Sequence, residues 1–125
     1  MTAAPRSRKR TILVVDDEAA VRSLTARILE ERGYSVIEAV NGADALALLE
    51  SRAEPIDLVI SDVVMPRFDG LELARCIEIM VHPPPILLMS GWALSGLELE
   101  RPFLVKPFDA HELLAAVDRL LGARG

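Results

Sequence analysis

The chain has 125 residues, 51% hydrophobic and 26% charged, which is enough apolar content for one domain with a real core and too much for a disordered chain. Its formal charge is −5, yet residues 1–10 hold four of the fourteen basic residues and no acid, leaving ten basic against nineteen acidic residues, or −9, in residues 11–125. An acidic body argues against a nucleic-acid surface and suits a basic partner or a bound cation; the one cysteine, Cys76, cannot close an internal disulfide, and no apolar stretch reaches membrane-spanning length. The opening "MTAAPRSRKR" lacks the apolar run of a signal peptide, so residues 1–10 read as a basic disordered tail or linker on a cytoplasmic protein. "TILVV", Thr11–Val15, is the first strand, and it runs straight into Asp16, Asp17 and Glu18. Val21, Leu24, Ile28 and Leu29 then keep helical spacing. "YSVIEA" (34–39) is the second strand, and Ala45, Leu46, Leu48 and Leu49 mark the second helix.

"DLVIS" (57–61) is the third strand, ending against Asp62. Asp69 and Gly70 turn the chain into a helix carrying Leu71, Leu73, Ala74, Ile77 and Met80, with Cys76 among them as a core thiol. "PILLM" (85–89) precedes Ser90 and Gly91, and "FLV" (103–105) precedes Lys106 and Pro107. The last helix, Ala110–Leu121, puts Leu113, Leu114, Val117, Leu120 and Leu121 on one face, with Asp109 as N-cap and Gly122 as stop. His82 and His111 have no ligand neighbour at useful spacing and receive no role.

Five such βα units with strands apolar on both faces imply a parallel sheet covered on both sides, a doubly wound α/β domain. Ligands of such sheets lie at the carboxyl ends of the strands. Asp16, Asp17, Glu18, Asp62, Ser90 and Lys106 would all meet there. Crowded carboxylates raise one another's pKa values, and a hard divalent cation, with Mg2+ the natural choice, relieves the repulsion through oxygen ligands. A lysine and a hydroxyl on the same edge make sense if a phosphoryl group arrives there. Taken singly, each motif is equally well read as a helix cap or turn. Caps and turns do not explain why carboxylates, a hydroxyl and a lysine share one edge.

Together "VVDDE", "SDVVMPRFDG", "MSG" and "FLVKPF" resemble the signature of response-regulator receiver domains, the phosphoacceptor modules of two-component signalling, over residues 11–121. The resemblance implies a flavodoxin-like five-stranded sheet of order 2-1-3-4-5, a receiver domain spanning 11–122, and a short tail at 123–125. It implies Asp62 as phosphoacceptor, Asp17 and Asp62 as direct Mg2+ ligands, Asp16 as a ligand through water, and the backbone carbonyl of Val64 as a further ligand. Lys106 matches the phosphate-binding lysine, Ser90 the switch hydroxyl and Phe103 the switch aromatic. The partner implied is a sensor histidine kinase or a histidine phosphotransfer protein, with a homodimer as a further option and no nucleic acid or membrane. Such a module assists its own phosphorylation and dephosphorylation and is not otherwise an enzyme.

The sequence departs from that pattern in the fifteen residues Gly91–Val105 between Ser90 and Lys106. Two glycines and a proline within "GWALSGLELERP" make the helix between the fourth and fifth strands short, irregular or absent. Trp92, Leu94, Leu97 and Leu99 would then form a mobile, partly exposed apolar segment that phosphorylation reorders. The chain reads as a stand-alone receiver or one cut from a longer protein such as a hybrid histidine kinase. Three rivals are weaker. A Mg2+-dependent phosphohydrolase with an aspartate nucleophile would want an acid where Val64 stands. A nucleotide-binding protein would want a glycine-rich turn where "DDEAA" stands. An unphosphorylated docking scaffold would have no need of Asp62 and Lys106 together.

Overall fold

A computed structural model describes residues 9–51, 55–91 and 101–122. Five strands, β1 (Thr11–Val15), β2 (Ser35–Ala39), β3 (Leu58–Asp62), β4 (Ile86–Ser90) and β5 (Phe103–Val105), form one parallel sheet in the order β2-β1-β3-β4-β5. The described helices are α1 (Ala19–Glu31), α2 (Gly42–Ser51), α3 (Gly70–Glu78) and α4 (Ala110–Leu121). This is the expected flavodoxin-like order. The expected shortening of the helix between β4 and β5 concerns residues 92–100, which lie outside the described residues, as do 1–8 and 123–125. Among the described residues, no helix is long and apolar enough to cross a membrane.

The period-2 alternation of strand side chains sorts the core into two layers. Leu13, Val15, Val59, Ile86 and Leu88 face Leu73, Ala74 and Ile77 of α3 and Ala45 of α2. Ile12, Val14, Leu58, Ile60, Leu87 and Met89 face Leu29 of α1 and Leu113, Ala116 and Val117 of α4. Both layers are dry: all five residues of β1, β3 and β4 are buried. Fully burying one such side chain is worth roughly 1.5–3 kcal/mol, so the central strands are rigid supports for whatever their ends carry.

Local signals set the ends of the helices. Asp69 and Asp109 each accept a hydrogen bond from the backbone N–H three residues on, while Glu72 and Glu112 accept from the cap N–H in return, two reciprocal capping boxes in Asp-x-x-Glu sequences. Gly122, at φ 78, ends α4 as expected. Cys76 is half-buried rather than a core thiol, because it falls between the inward positions Leu73, Ala74 and Ile77 on α3. Arg10, counted with the basic tail in the sequence, is tied into the fold: its carbonyl accepts from Ser35 N–H at 2.9 Å and its guanidinium donates to the Leu121 carbonyl at 3.1 Å.

Candidate phosphoacceptor and metal site

Strand parity places the reactive side chains. Asp16 continues the series Ile12, Val14; Asp62 continues Leu58, Ile60; Lys106 continues Leu104. All three series belong to the layer under α1 and α4. Asp62 and Ser90 are the last residues of β3 and β4 rather than residues beyond them, because the ladder carries on past the apolar run, pairing Asp62 with Met89 and Ser90 with Val105.

Asp16 is wholly buried and Asp62 is 8% exposed, while Asp17 opens to solvent. One carboxylate oxygen from each of the three lies within 4.8 Å of the others. The Lys106 ammonium donates to Asp16 Oδ2 and Asp62 Oδ2, both at 3.3 Å. It arrives there because Lys106 N–H donates to the Ser90 carbonyl at 2.7 Å, which carries the β4–β5 pairing one step further. The Lys106–Pro107 peptide is cis.

The loop after Asp62 is pressed against its strand. Gly70 N–H donates to the Val63 carbonyl at 2.9 Å, and a Cβ on Gly70 would sit 2.3 Å from the Asp62 carbonyl oxygen. Only glycine lets the start of α3 approach so closely. Val64, whose carbonyl the family resemblance implies as a ligand, lies in this loop and is 56% exposed. Ser90 is buried at the end of β4, and its parity follows Leu88 into the other layer. Phe103 is half-buried against that same layer, paired with Leu88 across the β4–β5 ladder.

The electrostatics are unbalanced. Burial pushes the Asp62 carboxyl above its usual range, and the charge of Asp16 adds to the rise; Lys106 and a backbone hydrogen bond from Val64 oppose it without cancelling it. For Lys106, burial alone would favour loss of the proton, but Asp16 and Asp62 override it and hold the ammonium above its ordinary value. Two buried carboxylates thus share one lysine, with the exposed Asp17 carboxylate beside them. The donor set is all oxygen, two of its members are held by strand ends, and the third faces solvent. It fits a hard divalent cation of the Mg2+ kind.

Sequence reasoning named Asp16, Asp17, Asp62, Val64, Ser90, Phe103 and Lys106, and the structure brings the carboxylates and Lys106 into one cluster. It missed Arg22. That side chain, 15% exposed on α1, donates from Nη1 to the Asp16 carbonyl at 2.9 Å and from Nε to Glu38 Oε1 at 3.0 Å. No motif marks a lone arginine in a helix, and the contact exists only because β2 lies beside β1.

Known proteins agree with this arrangement. The family model for the response regulator receiver domain matches residues 12–118. The sensor kinase CckA of Brucella abortus is 39% identical over 118 residues, covering 89% of this chain and 12% of that protein. The chain spans about half or less of the length of the curated relatives it matches. Among solved structures, the receiver domain of the hybrid histidine kinase CckA aligns with TM-score 0.77 and 42% identity, covering 89% of this chain and 98% of that one. The response regulator TrrA of Thermotoga maritima, solved in complex with Mg(2+)-BeF, aligns with TM-score 0.81 and 37% identity, covering 90% and 99%. With sheet order, acidic cluster and lysine already in place, these matches establish that the chain belongs to the response regulator receiver domains of two-component systems.

Proposed function

We propose that this chain is the phosphoacceptor switch of a phosphorelay, with Asp62 as the residue that takes the phosphoryl group. The observation that carries the reading is the Lys106 ammonium bridging Asp16 and Asp62 at 3.3 Å each, beside carboxylates too crowded to be satisfied by it. An Asp62 oxygen attacks the phosphorus of a phosphohistidine; the P–N bond breaks with its electron pair going to the imidazole, and an acyl phosphate remains on Asp62. Lys106 turns from its carboxylate partners to the incoming phosphoryl oxygens and holds them by charge. Asp16, Asp17, Asp62 and the Val64 carbonyl would hold Mg2+, which supplies charge neutralisation to the transferred group. The chain promotes its own phosphorylation and dephosphorylation and has no other substrate.

The donor is a sensor histidine kinase or histidine phosphotransfer protein. An apolar groove of about 220 Å³ between α1 and the β5–α4 turn is lined by Val21, Leu24, Thr25, Ile28, Lys106, Pro107 and Phe108. Leu24 stands 57% exposed in it. A donor helix seated there would carry its phosphohistidine toward Asp62. An unpaired cysteine is compatible with the reducing cytoplasm.

After transfer, the buried Ser90 hydroxyl turns toward the new phosphoryl oxygens. Phe103, one pleat back along the β4–β5 ladder, moves with it and alters the surface around β5. The test is incubation with Mg2+ and acetyl phosphate, followed by intact mass. Wild-type protein is expected to gain one phosphoryl group and Asp62→Asn none. Equal phosphorylation of the two would place the acceptor elsewhere, and no uptake by wild type would favour a docking scaffold.

A further inference from the structure

Asp16 is held at four points, and three of them belong to the sheet, the local turn or the site already described. Its N–H donates to the Ala39 carbonyl at 3.2 Å, its Oδ1 accepts from Glu18 N–H at 2.9 Å, and its Oδ2 accepts from Lys106 at 3.3 Å. The fourth is Arg22, one turn into α1, whose Nη1 donates to the Asp16 carbonyl at 2.9 Å. That carbonyl belongs to the peptide joining Asp16 to Asp17. The peptide is planar, so fixing its oxygen fixes the plane from which Asp17 leaves. Asp17 is the exposed member of the carboxylate cluster and has the greatest freedom to turn away.

The guanidinium itself is aimed. Nε donates to Glu38 Oε1 at 3.0 Å, and Glu38 lies on β2, paired with Val14 of β1. Arginine's rigid fork suits this double duty, with one arm on a strand carboxylate and the other on a loop carbonyl; a lysine's three donors all sit on one nitrogen and cannot span two separated acceptors in this fixed geometry. The arrangement is costly in one respect. It brings a positive charge, largely shielded from solvent, next to a site expected to take a cation. A charge chosen only for electrostatics would have the opposite sign.

We propose that Arg22 is a positioning residue for the cation site, holding the Asp16–Asp17 peptide so that the Asp17 carboxylate points into the cluster, with Glu38 aligning Arg22. This rests on the Mg2+ reading of the site. The two ways in which Arg22 acts on a bound cation differ in sign. Charge repulsion alone predicts that Arg22→Ala tightens Mg2+ binding, whereas positioning predicts that it weakens binding, on the order of tenfold as for other residues that orient metal ligands.

The experiment is a Mg2+ titration of wild type, Arg22→Ala, Arg22→Lys, Glu38→Gln and the Arg22→Ala/Glu38→Gln double variant, followed by backbone amide chemical shifts, with Tm of each apo protein measured alongside. Arg22→Ala is expected to bind Mg2+ about tenfold more weakly. Arg22→Lys, which keeps the charge and loses the fork, is expected to bind more weakly than wild type as well, and it carries the test should the alanine variant not fold. Glu38→Gln should weaken binding less, and should add nothing in the Arg22→Ala background, since its effect passes through Arg22. Arg22→Ala binding as tightly as wild type or more tightly, Arg22→Lys matching wild type, or a Glu38 effect that persists without Arg22 would each overturn the positioning role. Wild type showing no Mg2+ binding would overturn the metal reading, and this inference with it.

Discussion

The two ends of the sheet treat charge in opposite ways. At the foot, where the strands begin, the carboxylates have donors enough. Thr11 N–H donates to Asp57 Oδ2 at 2.7 Å, and Asp57 N–H donates to the Thr11 carbonyl at 2.8 Å. Asp118 on α4 accepts from the Tyr34 hydroxyl at 2.9 Å and pairs with Arg32. Burial, and then Asp118, push the Tyr34 phenol above its usual range, so it stays a donor at any physiological pH. At the carboxyl edge, Asp16 and Asp62 compete for one ammonium with Asp17 beside them, and burial of Asp62 deepens the conflict. The same core supports both ends, so the difference is not one of scaffold. The foot lowers the energy of the folded chain as it stands, and the edge holds charge that an added cation or phosphoryl group can rearrange.

The strongest test of that contrast removes the ammonium that bridges the two buried carboxylates. Lys106→Ala leaves Asp16 and Asp62 facing each other in a largely buried place, and is expected to cost the apo protein about 2 kcal/mol, between the exposed-pair and buried-pair ranges. Millimolar Mg2+ should recover most of that loss, because it takes over the neutralisation. Denaturant melts with and without Mg2+ measure both quantities; a deficit that Mg2+ leaves untouched would mean that Lys106 matters for packing and not for charge.

A smaller effect is expected from the foot. Asp118→Ala strips the Tyr34 hydroxyl of its acceptor and should lower stability by about 1 kcal/mol. Mg2+ affinity and phosphoryl uptake should stay at wild-type values, since nothing at the edge has changed. Weakened Mg2+ binding in Asp118→Ala would show that the two ends are coupled and blur the contrast.

The smallest effect concerns pH. The folded-state pKa of Asp62 is raised by burial, so the folded chain holds that proton more tightly than the unfolded chain does. Its ionisation costs stability: nothing below the ordinary carboxylate value, increasingly as pH rises toward the raised folded value, and fully above it. Asp62→Asn removes that cost. The Tm of the variant should therefore exceed that of apo wild type near neutral pH by a few degrees, of the order that 1 kcal/mol produces in a domain of this size. The gap should shrink as pH falls through the carboxylate range. A constant gap from acid to neutral pH would trace the gain to something other than Asp62 charge.

How much of this was legible before the structure depends on distance along the chain. The strands "TILVV" and "FLV" and the helix Ala110–Leu121 fall where apolar periodicity and caps put them, because those signals are local. β3 and β4 each run one residue further than the apolar run suggests; pattern reading stops at the first polar side chain, whereas the backbone ladder is indifferent to it. That one residue matters, since Asp62 and Ser90 gain the stiffness of the sheet. The acidic edge was legible because a doubly wound sheet gathers strand ends whatever the intervening sequence. The Arg22–Glu38 clamp, the Asp118 contacts with Arg32 and Tyr34, and the Arg101–Glu78 ion pair beside β5 were not, for each joins surface residues of ordinary type on elements whose spacing only the folded chain defines.

The contact from Arg10 to the Leu121 carbonyl fixes where this unit can be joined to others. It places the point where the chain enters β1 beside the point where it leaves α4, and both at the pole away from Asp62. The first and last described turns of the fold therefore meet at one pole, and a polypeptide continuing from either would start at the end of the sheet opposite the carboxylates. With its two ends side by side, such a unit has the geometry of an insert, able to interrupt a longer chain without forcing the flanking segments far apart.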